Sequence, residues 1–320
     1  MNNPFLSSQF VIAKPSEITP YTAFKFGEIC QDAGLPPGVL NIIHGRGDST
    51  GDALVTHHQV KAISFTGGTA TGKTIAGKVG RMFKKLSLEM GGKNPAIIFS
   101  DCNYGKMLET VVRSSFSNQG QICLCSSRIL VQSNIMERFK ADFTQKVNDL
   151  QVGDPIEETT HFGAVASKVQ RDKILDYIQL AEDEGGKVLC GGLSLHLEGR
   201  CANGWFIEPT IVEGLGPMCR TNQEEIFGPV VTLIPFEEES EAVEIANSTE
   251  YGLSATIWTE DPEKATRVAD AVDSGVIWVN CWMVRDLRTP FGGMKKSGFG
   301  REGGDDVLRF FTESKNICTG

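Results

Sequence analysis

The chain has 320 residues, of which 40% are hydrophobic and 22% charged, and its net charge is −9 at pH 7 with a pI near 5.2. This acidic balance argues against general nucleic-acid binding, because neutralising phosphates requires concentrated Lys and Arg. No apolar run is long enough to cross a membrane, and no signal peptide is evident. The nine cysteines lack CxxC pairs and zinc-ligand spacing, so we expect a soluble, cytoplasmic protein without a bound metal.

The part of the chain before Gly91 alternates between strand and helix patterns. Thr19 as N-cap and Pro20 at the first helical position predict a helix that stops before Gly34. The predicted strands are 10–13, 39–43, 60–65 and 85–89; the other predicted helices are 52–56 and one through 77 to 83, after a loop at 66–72. Apolar strands alternating with helices indicate a parallel sheet, which binds nucleotides at the carboxyl ends of its strands.

The same alternation restarts after Gly91-Gly92, which is the expected hinge between domains. The predicted strands are 96–99, 128–131, 205–208, 230–235, 255–258 and 276–280, and the predicted helices are 105–117, 133–150, 167–184, 240–247 and 261–272. Residues 310–318 are expected to form an extended tail, with Phe310 and Phe311 exposed. Such a tail needs a partner surface, so we expect a homo-oligomer.

Cys123 lies at a junction where a polar, glycine-containing turn joins a predicted helix to a predicted strand. Thiolate chemistry requires an accessible cysteine near backbone N–H groups that lower its pKa. Cys123 is therefore the candidate nucleophile among the cysteines. The alternative is a buried, inert thiol, which is the commoner fate of cysteine.

Residues 67–74, Gly-Gly-Thr-Ala-Thr-Gly-Lys-Thr, match the phosphate-binding pattern G-x-x-x-x-G-K-[ST] of P-loop NTPases. We do not favour an NTPase, because the nearest apolar strand ending in Asp, 96–101, is one residue too long to supply the Mg²⁺ ligand. A glycine loop at a helix N-terminus equally suits the pyrophosphate of a dinucleotide. An NTPase would show Mg-dependent ATP hydrolysis that Lys73→Ala abolishes.

Six blocks of the sequence, taken together, resemble NAD(P)-dependent aldehyde dehydrogenases in content and order. They are 11–17, 65–68, 88–93, 118–123, 224–229 and 290–295. The resemblance covers nearly the whole chain and implies an α/β aldehyde dehydrogenase-like fold with a truncated Rossmann-type cofactor domain and an α/β catalytic domain. The implied boundaries are 1–91 for the partial dinucleotide-binding domain, 92–296 for the catalytic domain, and 297–320 for a return segment and C-terminal oligomerisation tail.

The resemblance also implies two catalytic residues. Cys123 would attack an aldehyde to give a thiohemiacetal, which becomes a thioester after hydride transfer to the nicotinamide. Glu89 resembles the general base that activates the hydrolytic water. Its alternative interpretation is a solvated carboxylate at a strand end.

The cofactor implied by the resemblance is NAD. Lys14 and Glu17 would meet the adenosine ribose, where a carboxylate accepts hydrogen bonds from a free 2′-hydroxyl and repels a 2′-phosphate. The pair could equally be a surface ion pair of little consequence. The other implied cofactor residues are Gly67, Gly68 and Gly72 near the pyrophosphate, Glu225 at the nicotinamide ribose, and Phe227 beside it.

The resemblance is closer to the dehydrogenases of 2-aminomuconic and 2-hydroxymuconic semialdehydes, through 122–128 and 280–288. Those substrates carry a carboxylate away from the aldehyde, and a guanidinium is its natural bidentate partner. Arg285 is the first candidate for this contact and Arg288 the second. Both could instead be solvated loop charges.

The sequence departs from the family at its beginning, where only 1–13 precede Lys14. A first strand of the dinucleotide fold, a hairpin used in oligomerisation and a Pro-Trp-Asn segment are expected there but not found, and 1–9 resembles none of them. The Asn of that segment donates to the oxyanion, and loss of one such donor costs roughly 10²–10³ in rate. Two hypotheses remain open: a working dehydrogenase with an incomplete sequence, and a catalytically impaired or subunit-interaction protein.

Overall fold

The computed structural model describes residues 10–320, which form two compact units. The first unit contains the described residues up to Met90 together with Arg285–Gly292 and Gly298–Gly320; the second contains Gly91–Val284 and Gly293–Ser297. The expectation for residues 1–9 lies outside the described part of the chain. Residues 285–292 belong to the first unit, whereas the predicted boundaries place them in the catalytic domain, 92–296. The functional division into domains stays a prediction.

Strands and helices alternate along both units. The strands are β1 (Val11–Ala13), β2 (Leu40–Ile42), β3 (Ala62–Thr66), β4 (Lys85–Glu89), β5 (Asn94–Ile98), β6 (Ser126–Gln132), β7 (Lys187–Cys190), β8 (Ser194–Leu195), β9 (Phe206–Ile207), β10 (Thr210–Glu213), β11 (Val230–Phe236), β12 (Tyr251–Gly252), β13 (Ser254–Trp258), β14 (Val276–Val279), β15 (Met294–Lys295) and β16 (Gly298–Phe299). The helices are α1 (Tyr21–Asp32), α2 (Asp52–Thr56), α3 (Thr69–Val79), α4 (Tyr104–Phe116), α5 (Ser133–Asn148), α6 (Lys168–Asp183), α7 (Arg220–Gln223), α8 (Glu239–Asn247), α9 (Pro262–Ala271) and α10 (Gly304–Phe311).

In the first unit, β1 pairs in parallel with β2, and a separate sheet has the order β16-β4-β3. β3 and β4 are parallel, whereas β16 is antiparallel to β4. Val55, Ile75 and Val79 from α2 and α3 form a small core against β3 and β4. The carboxyl ends of β3 and β4 therefore lie side by side, next to the start of α3.

The second unit is built on a seven-stranded sheet in the order β14-β13-β5-β6-β11-β10-β7. All neighbours are parallel except β7, which runs antiparallel to β10 at the edge. Helices α4 and α5 cover one face with a core that includes Phe116 and Phe143, while α8 and α9 cover the other with Ile245 and Val268. The central strands are buried on both faces, as continuous apolar runs in a parallel sheet require.

Arg128 of β6 is buried in this unit, with only 1% of its surface exposed. Its guanidinium donates hydrogen bonds to three backbone carbonyls: Lys93 O at 2.9 Å, Ile245 O at 2.7 Å and Ala246 O at 2.8 Å. The last two carbonyls belong to the C-terminal turn of α8, where a helix leaves acceptors unpaired and favours a cation.

The predicted parallel α/β architecture is confirmed, as is the strand at 85–89. Three local predictions are wrong. Pro20, not Thr19, is the N-cap of α1, because the Pro20 carbonyl already accepts the Phe24 N–H. The loop at 66–72 ends early, since α3 begins at Thr69. Phe310 and Phe311 close the helix α10 and do not lie in an extended tail.

Candidate active site

The loop before Cys123 has an unusual backbone. Asn118 and Gln119 have left-handed φ angles of 51° and 56°, and Gly120 follows with φ 69°. A Cβ at Gly120 would lie 2.1 Å from the Gly228 carbonyl oxygen, so the position tolerates only glycine. Strained non-glycine residues occur preferentially at functional sites.

Cys123 and Cys125 differ in their surroundings. Cys123 is half-buried, whereas Cys125 is buried and 7% exposed. Burial raises the pKa of the Cys125 thiol to about 12, so this cysteine stays protonated and unreactive at neutral pH. Cys123 is thus the more accessible thiol of the pair.

Cys123, Glu225 and Phe227 line one cleft in the second unit, together with Gly92 and Ser115. The Gly92 N–H donates to Glu225 Oε1 at 2.9 Å. A Cβ at Gly91 would lie 2.2 Å from the Glu225 carboxylate, and one at Gly92 would lie 3.0 Å from the Cys123 carbonyl oxygen, so both positions are crowded. The structure therefore brings together the predicted nucleophile and the two residues predicted at the nicotinamide ribose.

The pKa of Glu225 is raised by burial. The Gly92 N–H and the charges of Lys173 and Lys93 act in the opposite direction and favour the carboxylate. Lys173 Nζ also donates to the Glu225 backbone carbonyl at 2.8 Å. The carboxylate thus occupies a low-dielectric site surrounded by donors and cations.

Lys93 was not predicted from the sequence as a site residue. It is 2% exposed, and its Nζ has no hydrogen-bond partner among residues 10–320. Burial lowers its pKa to about 7, with the Arg128 charge acting in the same direction and Glu225 against it. Its place directly after a Gly-Gly pair and before a buried strand gives little hint of burial, because lysine is mostly exposed.

The predicted adenosine-ribose residues lie at the end of β1 in the first unit. Lys14 Nζ donates to Gly45 O at 2.9 Å and lies 3.5 Å from Glu17 Oε2. The Gly47 N–H donates to Glu17 Oε1 at 3.4 Å. Hydrogen bonds from its own backbone and from Gly47 lower the pKa of Glu17, and the Lys14 charge adds to the effect.

The glycines of the phosphate-binding pattern lie around the start of α3. Gly68 is the N-cap, without a side-chain cap, and open space surrounds its Cα. Gly72 and Lys73 lie inside the helix, and a Cβ at Gly72 would lie 2.3 Å from Met90 Sδ. A P-loop needs a loop before its Gly-Lys pair, so the NTPase interpretation loses its geometric support. Gly72 allows close packing within the unit.

Glu89 is the last residue of β4 and is 5% exposed. Its carbonyl accepts the Gly67 N–H at 3.0 Å, which joins the ends of β3 and β4. A Cβ at Gly292 would lie 2.8 Å from Glu89 Oε1 and 2.8 Å from the Gly300 carbonyl oxygen, and the backbone contact requires a glycine beside the carboxylate. The alternative of a solvated carboxylate at a strand end does not fit this burial.

The two candidate arginines differ in their partners. The Arg285 guanidinium lies over the Phe291 ring, 4.0 Å from its centroid, and makes no hydrogen bond to residues 10–320. Arg288 pairs with Asp286 at the surface, with 89% of its side chain exposed. The Arg285 charge also acts on Glu302, whose pKa burial raises and Arg285 lowers. The donors of Arg285 are nonetheless less committed than those of Arg288, which are paired with Asp286.

Within residues 10–320, no helix is both long and apolar enough to span a membrane. In the same part of the chain, no group of three or more His, Cys, Asp or Glu could hold a metal ion.

Comparison with known proteins gives one family. Residues 5–317 match the model of the aldehyde dehydrogenase family. A 2-aminomuconic semialdehyde dehydrogenase of Danio rerio is 48% identical over 309 residues, covering 96% of this chain and 63% of the relative. A 2-hydroxymuconic semialdehyde dehydrogenase of Pseudomonas sp. (strain CF600) is 46% identical, covering 96% and 64%. The crystal structure of betaine aldehyde dehydrogenase from Staphylococcus aureus in complex with NAD⁺ aligns with a TM-score of 0.90 at 37% identity, covering 94% of this chain and 60% of that one.

The chain belongs to the aldehyde dehydrogenase family. This confirms the resemblance inferred from the six sequence blocks and the α/β fold class that it implied. The chain spans less than two thirds of the length of the relatives compared above.

Proposed function

We propose that this chain oxidises a carboxylate-bearing semialdehyde to the acid with NAD, through a thiohemiacetal and a thioester on Cys123. The observation that carries the proposal is the cleft that Cys123 shares with Glu225 and Phe227. The Cys123 thiol in this cleft is half-buried, whereas the nearby Cys125 thiol is buried and stays protonated. Cys123 is therefore the reactive cysteine. Family membership and the names of the relatives support the reaction class.

The residues present fit NAD. Glu225 offers a carboxylate, oriented by the Gly92 N–H, to the hydroxyls of a ribose. The uncapped N-terminus of α3 presents N–H groups suited to a pyrophosphate. There the Thr69 hydroxyl is buried and has no partner among the described residues. Glu17 would meet the hydroxyls of the other ribose.

The proposed reaction uses two side chains of the protein. The Cys123 thiolate forms a C–S bond to the aldehyde carbon, and the carbonyl oxygen becomes an oxyanion that the Cys123 N–H stabilises. Bound NAD supplies the acceptor for the hydride that leaves this carbon. The C=O bond then re-forms as a thioester. Glu89 takes a proton from water, the water oxygen attacks the thioester, and the C–S bond breaks to release the acid and the thiolate.

The proposed substrate class rests on Arg285. A guanidinium stacked on an aromatic face keeps its edge donors directed outward, in the planar fork that binds a carboxylate bidentately. Relatives named for muconic semialdehydes act on aldehydes that carry a carboxylate at the other end. Arg285 would hold this carboxylate, with Arg288 as the weaker candidate.

The reaction is tested by NADH formation from a muconic semialdehyde. Cys123→Ala is expected to abolish it, whereas Glu89→Gln should keep a single burst of NADH and lose steady turnover by roughly 10²-fold or more, because acylation precedes the water step. Quench-flow absorbance of NADH separates the burst from turnover. A folded chain that binds NAD but forms no NADH would contradict the proposal, as would full activity in Cys123→Ala.

The substrate class is tested by pairing Arg285→Leu with Arg288→Leu. Arg285→Leu should raise KM for the carboxylate-bearing semialdehyde roughly 10-fold or more, the range of a lost charge-assisted hydrogen bond, and leave KM for a neutral aldehyde unchanged. Arg288→Leu should change both KM values by less than about two-fold. Equal effects of the two variants, or of Arg285→Leu on both substrates, would reject this role.

A further inference from the structure

Asn94 holds two carbonyls of the nucleophile loop at once. It is the first residue of β5 and is 3% exposed. Its Nδ2 donates to Cys123 O at 2.7 Å and to Cys125 O at 2.9 Å, while its Oδ1 accepts the Ser254 N–H at 3.1 Å. Because the Ser254 contact fixes the orientation of the amide, the two donors must face the loop.

Trp282 holds the carbonyl between these two. It is 6% exposed, and its Nε1 donates to Leu124 O at 3.0 Å. The Arg113 guanidinium lies 5.8 Å from the centre of the indole. Leu124 precedes β6, so its carbonyl is bound by a side chain and not by a sheet ladder.

The peptide planes on both sides of Cys123 are therefore fixed. The Ile122 carbonyl, in the preceding plane, accepts the Cys125 N–H at 2.9 Å. That N–H shares its peptide plane with the Leu124 carbonyl, so the Trp282 contact also holds the donor. The Cys123 carbonyl, in the following plane, is held by Asn94. Within a trans peptide the N–H points away from the C=O, so the Ile122 contact also aims the Cys123 N–H. The two planes together set the direction of the Cα–Cβ bond that carries the thiol.

We propose that Asn94 and Trp282 are positioning residues for the nucleophile. They act through the backbone and hold both the sulfur and the N–H of Cys123 in the geometry for attack and for oxyanion binding. This inference rests on the proposed role of Cys123 as the nucleophile. If these contacts only satisfied buried carbonyls, they would stabilise the fold without affecting the reactivity of the Cys123 thiol.

The first test compares Trp282→Phe with Trp258→Phe in the 320-residue chain. Both changes remove a buried indole N–H and keep an aromatic ring, but Trp258 Nε1 has no hydrogen-bond partner among the described residues and Trp258 is 1% exposed. Trp282→Phe should lower kcat roughly 10-fold to 10²-fold with KM for NAD unchanged, because small misplacement of a reacting group is that costly. Trp258→Phe should leave kcat within about two-fold of the unchanged chain.

The second readout needs no turnover. The rate of alkylation of Cys123 by iodoacetamide, followed by mass spectrometry of its peptide, is measured against pH. In Trp282→Phe the rate should fall across the pH range, because the sulfur is no longer held in the geometry for attack. In Trp258→Phe the profile should overlay that of the unchanged chain. Asn94→Leu, which removes both donations without adding a charge, should lower the rate further.

The outcomes separate this proposal from the proposed function. If the unchanged chain makes no NADH, the alkylation profiles alone decide the positioning role. If it makes NADH and the two Trp variants lose kcat equally, the positioning role is overturned while the reaction stands. An alkylation profile in Trp282→Phe that overlays the unchanged one also overturns it, whatever happens to kcat.

Discussion

Glu225 combines a raised pKa with a predicted role in cofactor binding. The group accepts hydrogen bonds from ribose hydroxyls most strongly as a carboxylate. Since burial raises its pKa, protonation begins at a higher pH than for an exposed glutamate, and NAD affinity should fall as the pH is lowered through that pKa.

Glu225→Gln is expected to weaken NAD binding roughly 10-fold at neutral pH, the range for a lost charge-assisted hydrogen bond. It should also remove the acid-side loss of affinity, because the amide does not titrate. Titration of NAD against intrinsic tryptophan fluorescence at several pH values gives the dissociation constants. If Glu225→Gln still loses NAD affinity at low pH, the titrating group is a residue other than Glu225.

Lys93 affects the stability of the fold through its protonation. Its pKa is about 7 in the folded protein, against about 10.4 in an unfolded chain. Below pH 7 both states bind the proton, and the folded state bears the full cost of a buried charge. As the pH rises through this window the folded state releases the proton first, so the free energy of unfolding increases.

Lys93→Met should therefore raise the melting temperature below about pH 7, by an amount that shrinks as the pH approaches about 10. Lys168→Met is the control, because the Lys168 side chain is 60% exposed. Differential scanning calorimetry across this pH range measures both variants against the unchanged chain. A constant offset at every pH would show that lost contacts, and not protonation, set the difference.

At the scale of elements, substitutions in helix α3 distinguish pyrophosphate binding at its N-terminus from a P-loop contact through Lys73. Gly68→Asp places a carboxylate at the N-cap, in open space, where it can accept the orphan N–H groups and stabilise the helix. The same charge should repel a pyrophosphate and weaken NAD binding roughly 10-fold or more. A Gly68→Asp variant that keeps its thermal stability but loses NAD affinity would identify the N-terminus of α3 as the pyrophosphate site.

Lys73→Ala is the matched variant within α3. Lys73 lies inside the helix, so its loss should leave NAD affinity within about two-fold. Thermal melting and NAD titration are measured on both variants. Loss of affinity in Lys73→Ala alone would revive a P-loop-like phosphate contact.

The sequence predicted the elements and site residues that lie in contiguous motifs. The β-to-α alternation follows from apolar periodicity. Glu89 and Glu225 were singled out by the family resemblance of the blocks that contain them, and their roles stay predictions. The proposed positioning residues, Asn94 and Trp282, were not predicted because they reach the nucleophile loop from 29 and 158 positions away. Such contacts depend on the packing of β5 and on the loop after β14, which no local pattern specifies.

The short strands and the end of the chain show the same limit. β7 and β10 have four residues each, too few for a clear alternation, and their pairing is set by the sheet edge. Phe310 and Phe311 looked like an extended apolar tail, yet they complete the amphipathic helix α10. The alternation is too short to recognise in β7 and β10, and the helical period of 304–311 was overlooked.

For the whole molecule, self-association stays a prediction, which rests on helix α1 and not on the segment 310–318. Helix α1 has no buried residue, and it exposes Tyr21, Phe24, Phe26 and Ile29 by about half or more of their surfaces. Clustered apolar surface of this kind marks an interaction surface. Light scattering over a range of concentrations should give a mass above that of one chain, and a monomer at all concentrations would refute the expectation.

The buried Arg128 has a consequence for how the second unit opens. One guanidinium closes the end of α8 and also binds the carbonyl of Lys93, just ahead of β5. If either segment separated from β6, the buried Arg128 guanidinium would lose carbonyl acceptors. A buried charge without partners is strongly destabilising. In hydrogen–deuterium exchange, the amides of 243–248 and 93–98 should therefore exchange at one common slow rate, as a single cooperative unit. Arg128→Lys, with fewer donors, should let the two segments exchange at separate and faster rates.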